Sequence, residues 1–369
     1  MPAVSLQPTP GRARPGRVLL ACESPNPVEA DLRLHTLATA FGEAGWQVQW
    51  AGPGAWPKGK GALPVAHWPA PRPWPVLQRR LNEQPVALIS RASRLLAKGW
   101  GHAPYLQTLL HGWQQILQAA DPDWLVADGA PAAQLAANLL GVRVLQSGPD
   151  TLLQPMARPM PPLRWWLGTE QAAAAQIDDE RLTHSLLKVL PSLGPVAGWV
   201  PSSAADVWHA QGRLVVSSPY LQRPGAQTAQ VTWLRLPRAD TGLGQSPAAP
   251  ACVSLRPLHA DVCAALESGR LMLLYPQDLD EWLRARHLQD CQLAVVVPPG
   301  ATPAQRRALE LRAERLAHAQ AGRYPEAPSV GPWCTAGELV AWCTRRLQTG
   351  DHDPGKPLGS DAHPPAAKG

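Results

Sequence analysis

Apolar residues recur along the first 150 positions with two alternating periods. Arg17 to Cys22 is a short continuous apolar run, as expected of a strand buried on both faces. Leu34, Leu37, Ala38 and Phe41 follow at i, i+3, i+4 and i+7, one face of a helix, and Gly45 supplies its stop. A strand over 46–51 completes a βαβ unit, so the two strands are expected to be parallel with a right-handed crossover. The alternation repeats downstream. Leu106, Leu109, Leu110, Trp113, Ile116 and Leu117 form one apolar stripe, a strand follows over 123–128, then a helix through Leu135, Ala136, Leu139 and Leu140, and a strand over 142–146.

Between and beyond these units the pattern is less regular. Residues 52–104 are rich in Pro, Gly and Trp, with one short helix near 88–96, and 147–205 read as loop and helix before a strand over 213–217. The Gly- and Pro-containing stretch 237–250 reads as a linker. After it, strands at 251–255, 271–275 and 293–297 alternate with helices at 259–267 and 279–288, and helices follow at 303–321 and 336–347. The expected architecture is α/β with two doubly wound Rossmann-like domains, over 17–236 and 251–349, the second one shortened. Residues 1–16 read as a disordered leader and 350–369 as a disordered tail.

Composition narrows the class. The 369 residues are 45% apolar, enough for a large core, and the net charge is +6. That excess sits at the amino-terminal end, around Arg12, Arg14 and Arg17, without a dense basic run interleaved with aromatics, so no nucleic-acid partner is expected. The six cysteines fall at irregular spacings and no early apolar run is long enough for a signal or a span. The expectation is a cytoplasmic protein without a transmembrane segment.

Ligands of open α/β sheets gather beyond the carboxyl ends of the strands, so the turns there carry the candidate chemistry. The first, Glu23-Ser-Pro-Asn-Pro-Val, has neither a dinucleotide fingerprint nor a phosphate loop, and no G-x-S-x-G elbow occurs. No cofactor and no metal site are expected; His259 and Cys263 stand at i, i+4 but lack a ligand motif around them. Asp128 ends a strand at a candidate switch point. It can orient a base or bind a hydroxyl, or it can simply place negative charge before the next helix.

Three segments resemble a known family. Leu34-His-Thr-Leu-Ala-Thr-Ala-Phe-Gly-Glu-Ala-Gly-Trp46, Asp121-Pro-Asp-Trp-Leu-Val-Ala-Asp128 with Ala136-Ala-Asn-Leu-Leu-Gly-Val, and Val262-Cys-Ala-Ala-Leu-Glu-Ser-Gly269 with Pro276-Gln-Asp-Leu-Asp280-Glu281-Trp-Leu-Arg-Ala285 look like the ordered motifs of inverting nucleotide-sugar glycosyltransferases of GT-B fold, the UDP-glucuronosyltransferase-like superfamily. The resemblance implies transfer of a sugar from a nucleotide-sugar donor to a hydroxyl of a small-molecule or lipid acceptor. In the family a His after the first strand is the base and an Asp holds it.

Both motif sets are degenerate here. The family's His falls at Ala30, beside Asp31, which leaves Asp128 or Asp31 as the catalytic carboxylate. The Gly-rich donor turn reads His259-Ala260-Asp261-Val262, with Asp261 expected to cap the following helix and close the anion site. Pro276 and Asp280 match the donor-sugar signature, whereas Glu281 replaces its Gln and Leu271 its central Pro. Two functions stay open: a glycosyltransferase, or a non-catalytic pseudo-glycosyltransferase that binds a ligand or serves as a scaffold for an active glycosyltransferase relative.

Overall fold

A computed structural model describes residues 15–24, 28–56, 66–71, 88–148, 160, 162–163, 170–194, 199–216, 221, 231–234, 252–319 and 333–349. The expected linker at 237–250, the tail from 350 and all but the last two residues of the leader lie outside these, as do the side chains of Asp31 and His259.

The first unit is built on an eight-stranded sheet. Its strands are β1 (Arg17–Cys22), β2 (Gln47–Gly52), β3 (Ala66–Pro69), β4 (Trp124–Asp128), β5 (Arg143–Gly148), β6 (Gly212–Val216), β7 (Val231–Leu234) and β11 (Trp333–Cys334). Their order is β11-β7-β6-β5-β4-β1-β2-β3, and every neighbouring pair is parallel. The four strands expected at 17–22, 46–51, 123–128 and 142–146 lie side by side as predicted. The edge strand β3, the short β7 and the two-residue β11 carry no long apolar run and add to that expectation.

Side chains of a strand alternate between faces, so each central strand feeds two cores. Leu19 and Ala21 of β1 and Leu125 and Ala127 of β4 pack under α3 (Ala103–Ala120), α4 (Pro131–Leu140) and α5 (Glu170–Val189). Val18, Leu20 and Cys22 of β1, with Trp124 and Val126 of β4, face α1 (Val28–Glu43). Local chemistry sets the helix ends. Ser90 and Ser93 form a reciprocal capping box at the start of the short α2 (Arg91–Leu95), and Gly141 closes α4 in the left-handed conformation at φ 74°.

The second sheet holds β8 (Cys252–Leu255), β9 (Leu271–Leu274) and β10 (Ala294–Val296), all parallel, in the order β10-β9-β8. Helices α6 (His259–Glu267) and α7 (Leu279–Asp290) cover one face and α8 (Pro303–Ala319) the other. Three strands make this the shorter of two Rossmann-like units.

One expectation is corrected. The expected second unit runs to residue 349, but β11 pairs with β7 and α9 (Ala336–Thr349) packs on the first sheet beside α1. Leu339, Val340, Trp342 and Cys343 are buried in the same core as Leu34, Leu37 and Phe41. The stripe on α9 shows that one face is buried; it does not show against which sheet.

Candidate functional site

The chain order reverses at β1, which has β4 on one side and β2 on the other, so the crevice beyond these strands is the switch point of the sheet. Cys22 pairs in register with Asp128, and Asp128 with Ser147, which sets the ends of β1, β4 and β5 level. Burial first, and then the nearby Asp128 charge, pushes the Cys22 thiol up to about 12, so it is no nucleophile.

Asp128 lies on the α1 side of the sheet and is buried with Arg33. Arg33 Nε donates to Asp128 Oδ2 at 2.8 Å and Nη2 to Oδ1 at 2.7 Å, while Ser147 Oγ donates to Oδ2 at 3.2 Å. The acid therefore has a partner, which the sequence did not supply. Ala30, the position that the resemblance matches to a His, is 4% exposed and belongs to the core. Arg33 stands one residue before Leu34 on the same buried stripe, and a charged residue inside an apolar stripe was the signal that could have found it.

A cavity opens on the other side of the strand ends. It is lined by Arg91, Arg94, Leu95 and Lys98, by Ala127 to Pro131 without Asp128, and by Gln134, Gln146, Ser147 and Trp208. Ser147 thus joins the cavity to the buried pair. Lys98 sits in a π-helical turn, Leu96–Trp100, in which Gly99 takes φ 94°, a value that a side chain would strain. The protein mass around Lys98, and then the Arg94 charge, pushes its ammonium below the usual lysine range, with Glu23 and Asp280 opposing.

Glu23 follows β1 directly. Its Oε1 accepts from the Ala133 N–H at the start of α4, 2.8 Å away. Burial raises its carboxyl to about 7 against that hydrogen bond and the Lys98 charge. Glu23 opens the turn named above, and no motif in the sequence sets it apart from the rest of that turn.

The expected donor residues lie in the first turn of α6 and around the start of α7. Asp280 is bound by Arg94 of the first unit, whose Nη1 and Nη2 donate to its two oxygens at 2.7 Å each. Burial would raise this carboxyl, but the Arg94 charge and hydrogen bonds prevail and hold it at about 2. Glu281, 2% exposed, accepts from Arg256 Nε at 2.6 Å and from the Gln277 N–H at 2.7 Å, so it ties the turn before α6 to the start of α7. Pro276 is buried between β9 and α7. Val262 is fully buried in the core of the second unit and its N–H bonds to the Leu258 carbonyl.

The helix also begins earlier than the motif implied. The cap position of α6 is Leu258, which gives no side-chain hydrogen bond, so His259, Ala260 and Asp261 form the first turn. Asp261 is therefore not the cap. It places negative charge inside the helix terminus where an anion would have to bind. Among the described residues no group of three His, Cys, Asp or Glu side chains could hold a metal ion, and no helix is long and apolar enough to cross a membrane.

No protein-family model and no curated protein matches the sequence. Solved structures do match in fold. The glycosyltransferase of kitacinnamycin is similar over 90% of this chain and 99% of its own, with a TM-score of 0.52 and 15% identity. The spinosyn rhamnosyltransferase SpnG, solved with spinosyn aglycone, is similar over 90% and 99%, with a TM-score of 0.50 and 14% identity. The two parallel sheets, each flanked by helices, thus give this chain the α/β fold of GT-B glycosyltransferases.

Proposed function

We propose that this chain is a pseudo-glycosyltransferase, a protein of inverting-glycosyltransferase ancestry that binds a small molecule in the crevice of its first unit and does not transfer sugar. The observation that carries this reading is the fate of two acids. Asp128 and Asp280, to which the resemblance assigns the base-holding and sugar-holding roles, are each held by two hydrogen bonds from one arginine. A carboxylate engaged in this way serves charge pairing, and neither a proton nor a sugar hydroxyl replaces a bidentate arginine without breaking it. Asp261 in the first turn of α6 adds repulsion where a diphosphate would bind.

The test is turnover. Incubation with UDP-glucose and dTDP-glucose and a panel of hydroxyl acceptors is expected to release no nucleoside diphosphate above the rate without protein. Release that depends on an acceptor contradicts the proposal.

One observation favours glycosyl transfer instead. A carboxyl raised to about 7 suits a general base at neutral pH, and Glu23 opens the turn after β1, ahead of Ala30, the position that the resemblance matches to the family's base. Under that reading Glu23→Gln abolishes any transfer found in the wild type.

A further inference from the structure

The apolar cores divide between the two units. The first unit holds those around Leu19 and Leu125 and around Leu20 and Phe41, and the second unit those around Met272 and Leu273. Among the described residues of these cores, one side chain crosses the division. Leu221 stands between β6 and β7 in the chain of the first unit, yet it is 1% exposed and belongs to the core of the second, with Val262, Leu266 and Leu288.

A second tie is polar. Arg94 sits in the last turn of α2, whose Ala92, Ser93 and Leu95 are buried in the first unit, and Asp280 in the first turn of α7, whose Leu283, Ala285 and Leu288 are buried in the second. Their two hydrogen bonds, 2.7 Å each, therefore join two firmly seated helices across the units. The charges around the pair agree in sign: Asp278 adds negative charge near Arg94, and Lys98 and Arg284 add positive charge near Asp280. Units that share little apolar core move relative to one another by default, and a part-exposed ion pair is weak enough to break.

We propose that the two units are articulated, with Leu221 as the anchor that keeps them attached and the Arg94–Asp280 pair as a latch that holds the second unit closed on the first. Arg94 also lines the cavity, so release of the latch takes its partner away and changes the charge of that wall. The position of the second unit thereby sets the electrostatics of the crevice. The motion is one of rigid bodies and breaks no covalent bond. It goes beyond the binding reading above and does not depend on it.

Small-angle X-ray scattering of the full chain reads the motion. Asp280→Lys places a cation against Arg94 and Lys98 and is expected to raise the radius of gyration by about 1 Å or more over a compact value of about 21 Å. Arg94→Asp is expected to do the same. The double variant Arg94→Asp, Asp280→Lys restores the pair with its charges exchanged and is expected to return to the wild-type value. Leu221→Ala added to Asp280→Lys is expected to raise the radius further, and no further rise overturns the anchor. Circular dichroism establishes that each variant is folded. An unchanged radius in a folded Asp280→Lys, or a double variant as open as the single ones, overturns the latch. Where charge reversal unfolds a unit, Asp280→Asn decides: the wild-type radius is expected to rise between about 0.05 and 1 M NaCl as the pair is screened, and that of Asp280→Asn to start larger and respond less. An equal salt response in the two also overturns the latch.

Discussion

Arg33 grips Asp128 with two hydrogen bonds, 2.8 Å from Nε and 2.7 Å from Nη2, and neither side chain is more than 3% exposed. Removing one partner of a buried pair leaves an uncompensated charge, whereas removing both does not. Arg33→Met is therefore expected to cost about 3–5 kcal/mol in equilibrium urea unfolding, and the Arg33→Met, Asp128→Leu double variant to recover most of it. A double variant as unstable as the single one contradicts this account of the pair.

Asp280 and Arg94 make an equally short pair in a wetter place, their side chains 31% and 22% exposed. Water screens such a pair, so Asp280→Asn is expected to cost no more than about 1 kcal/mol. The folded carboxyl is held at about 2, below its ordinary 3.8, so its contribution is present above 3.8 and is lost as pH falls from there toward 2. The stability difference between wild type and Asp280→Asn should close across that window. A difference that stays constant down to pH 2 removes the ion pair as its cause.

Glu23 has the opposite sign. Its folded carboxyl is raised from 4.5 to about 7, so the folded state holds the proton more tightly than the unfolded chain. Ionisation accordingly destabilises the fold progressively as pH rises from 4.5 through 7, and no such cost exists below 4.5. Gln at this position keeps an oxygen for the Ala133 N–H and never ionises. The melting temperature of Glu23→Gln should therefore gain on the wild type between pH 4.5 and 7.5, and a gap independent of pH refutes the shift.

Truncation after residue 332 tests the assignment of the last helix. Leu339, Val340, Trp342 and Cys343 lie in the core that holds α1, and each large apolar side chain buried there stabilises by about 1.5–3 kcal/mol. Loss of α9 should lower the melting temperature of the first unit sharply or abolish its cooperative transition. An unchanged transition would place α9 outside that unit's folding.

The sheet was legible where strands are buried on both faces, because Arg17–Cys22 and Trp124–Asp128 then read as apolar runs. Ala66–Pro69 was not, since most of this edge strand is exposed and prolines stand at its end and two residues to either side, at Pro64 and Pro71. The site was legible in position and not in pairing. Asp128 stood out at a strand end, but its partner lies 95 residues away, and nothing in the spacing of Arg33 says that it reaches across to β4.

We propose that the two acids the resemblance assigns to base-holding and sugar-holding, Asp128 and Asp280, are engaged by this chain's own arginines instead. Calorimetric titration of the wild type with dTDP, UDP and their glucose conjugates tests it most directly. The account predicts no saturation below about 1 mM, with partial recovery when Ala260-Asp261 is replaced by Gly-Thr so that the first turn of α6 can accept phosphate. Micromolar binding of a nucleotide-sugar by the unmodified protein contradicts it.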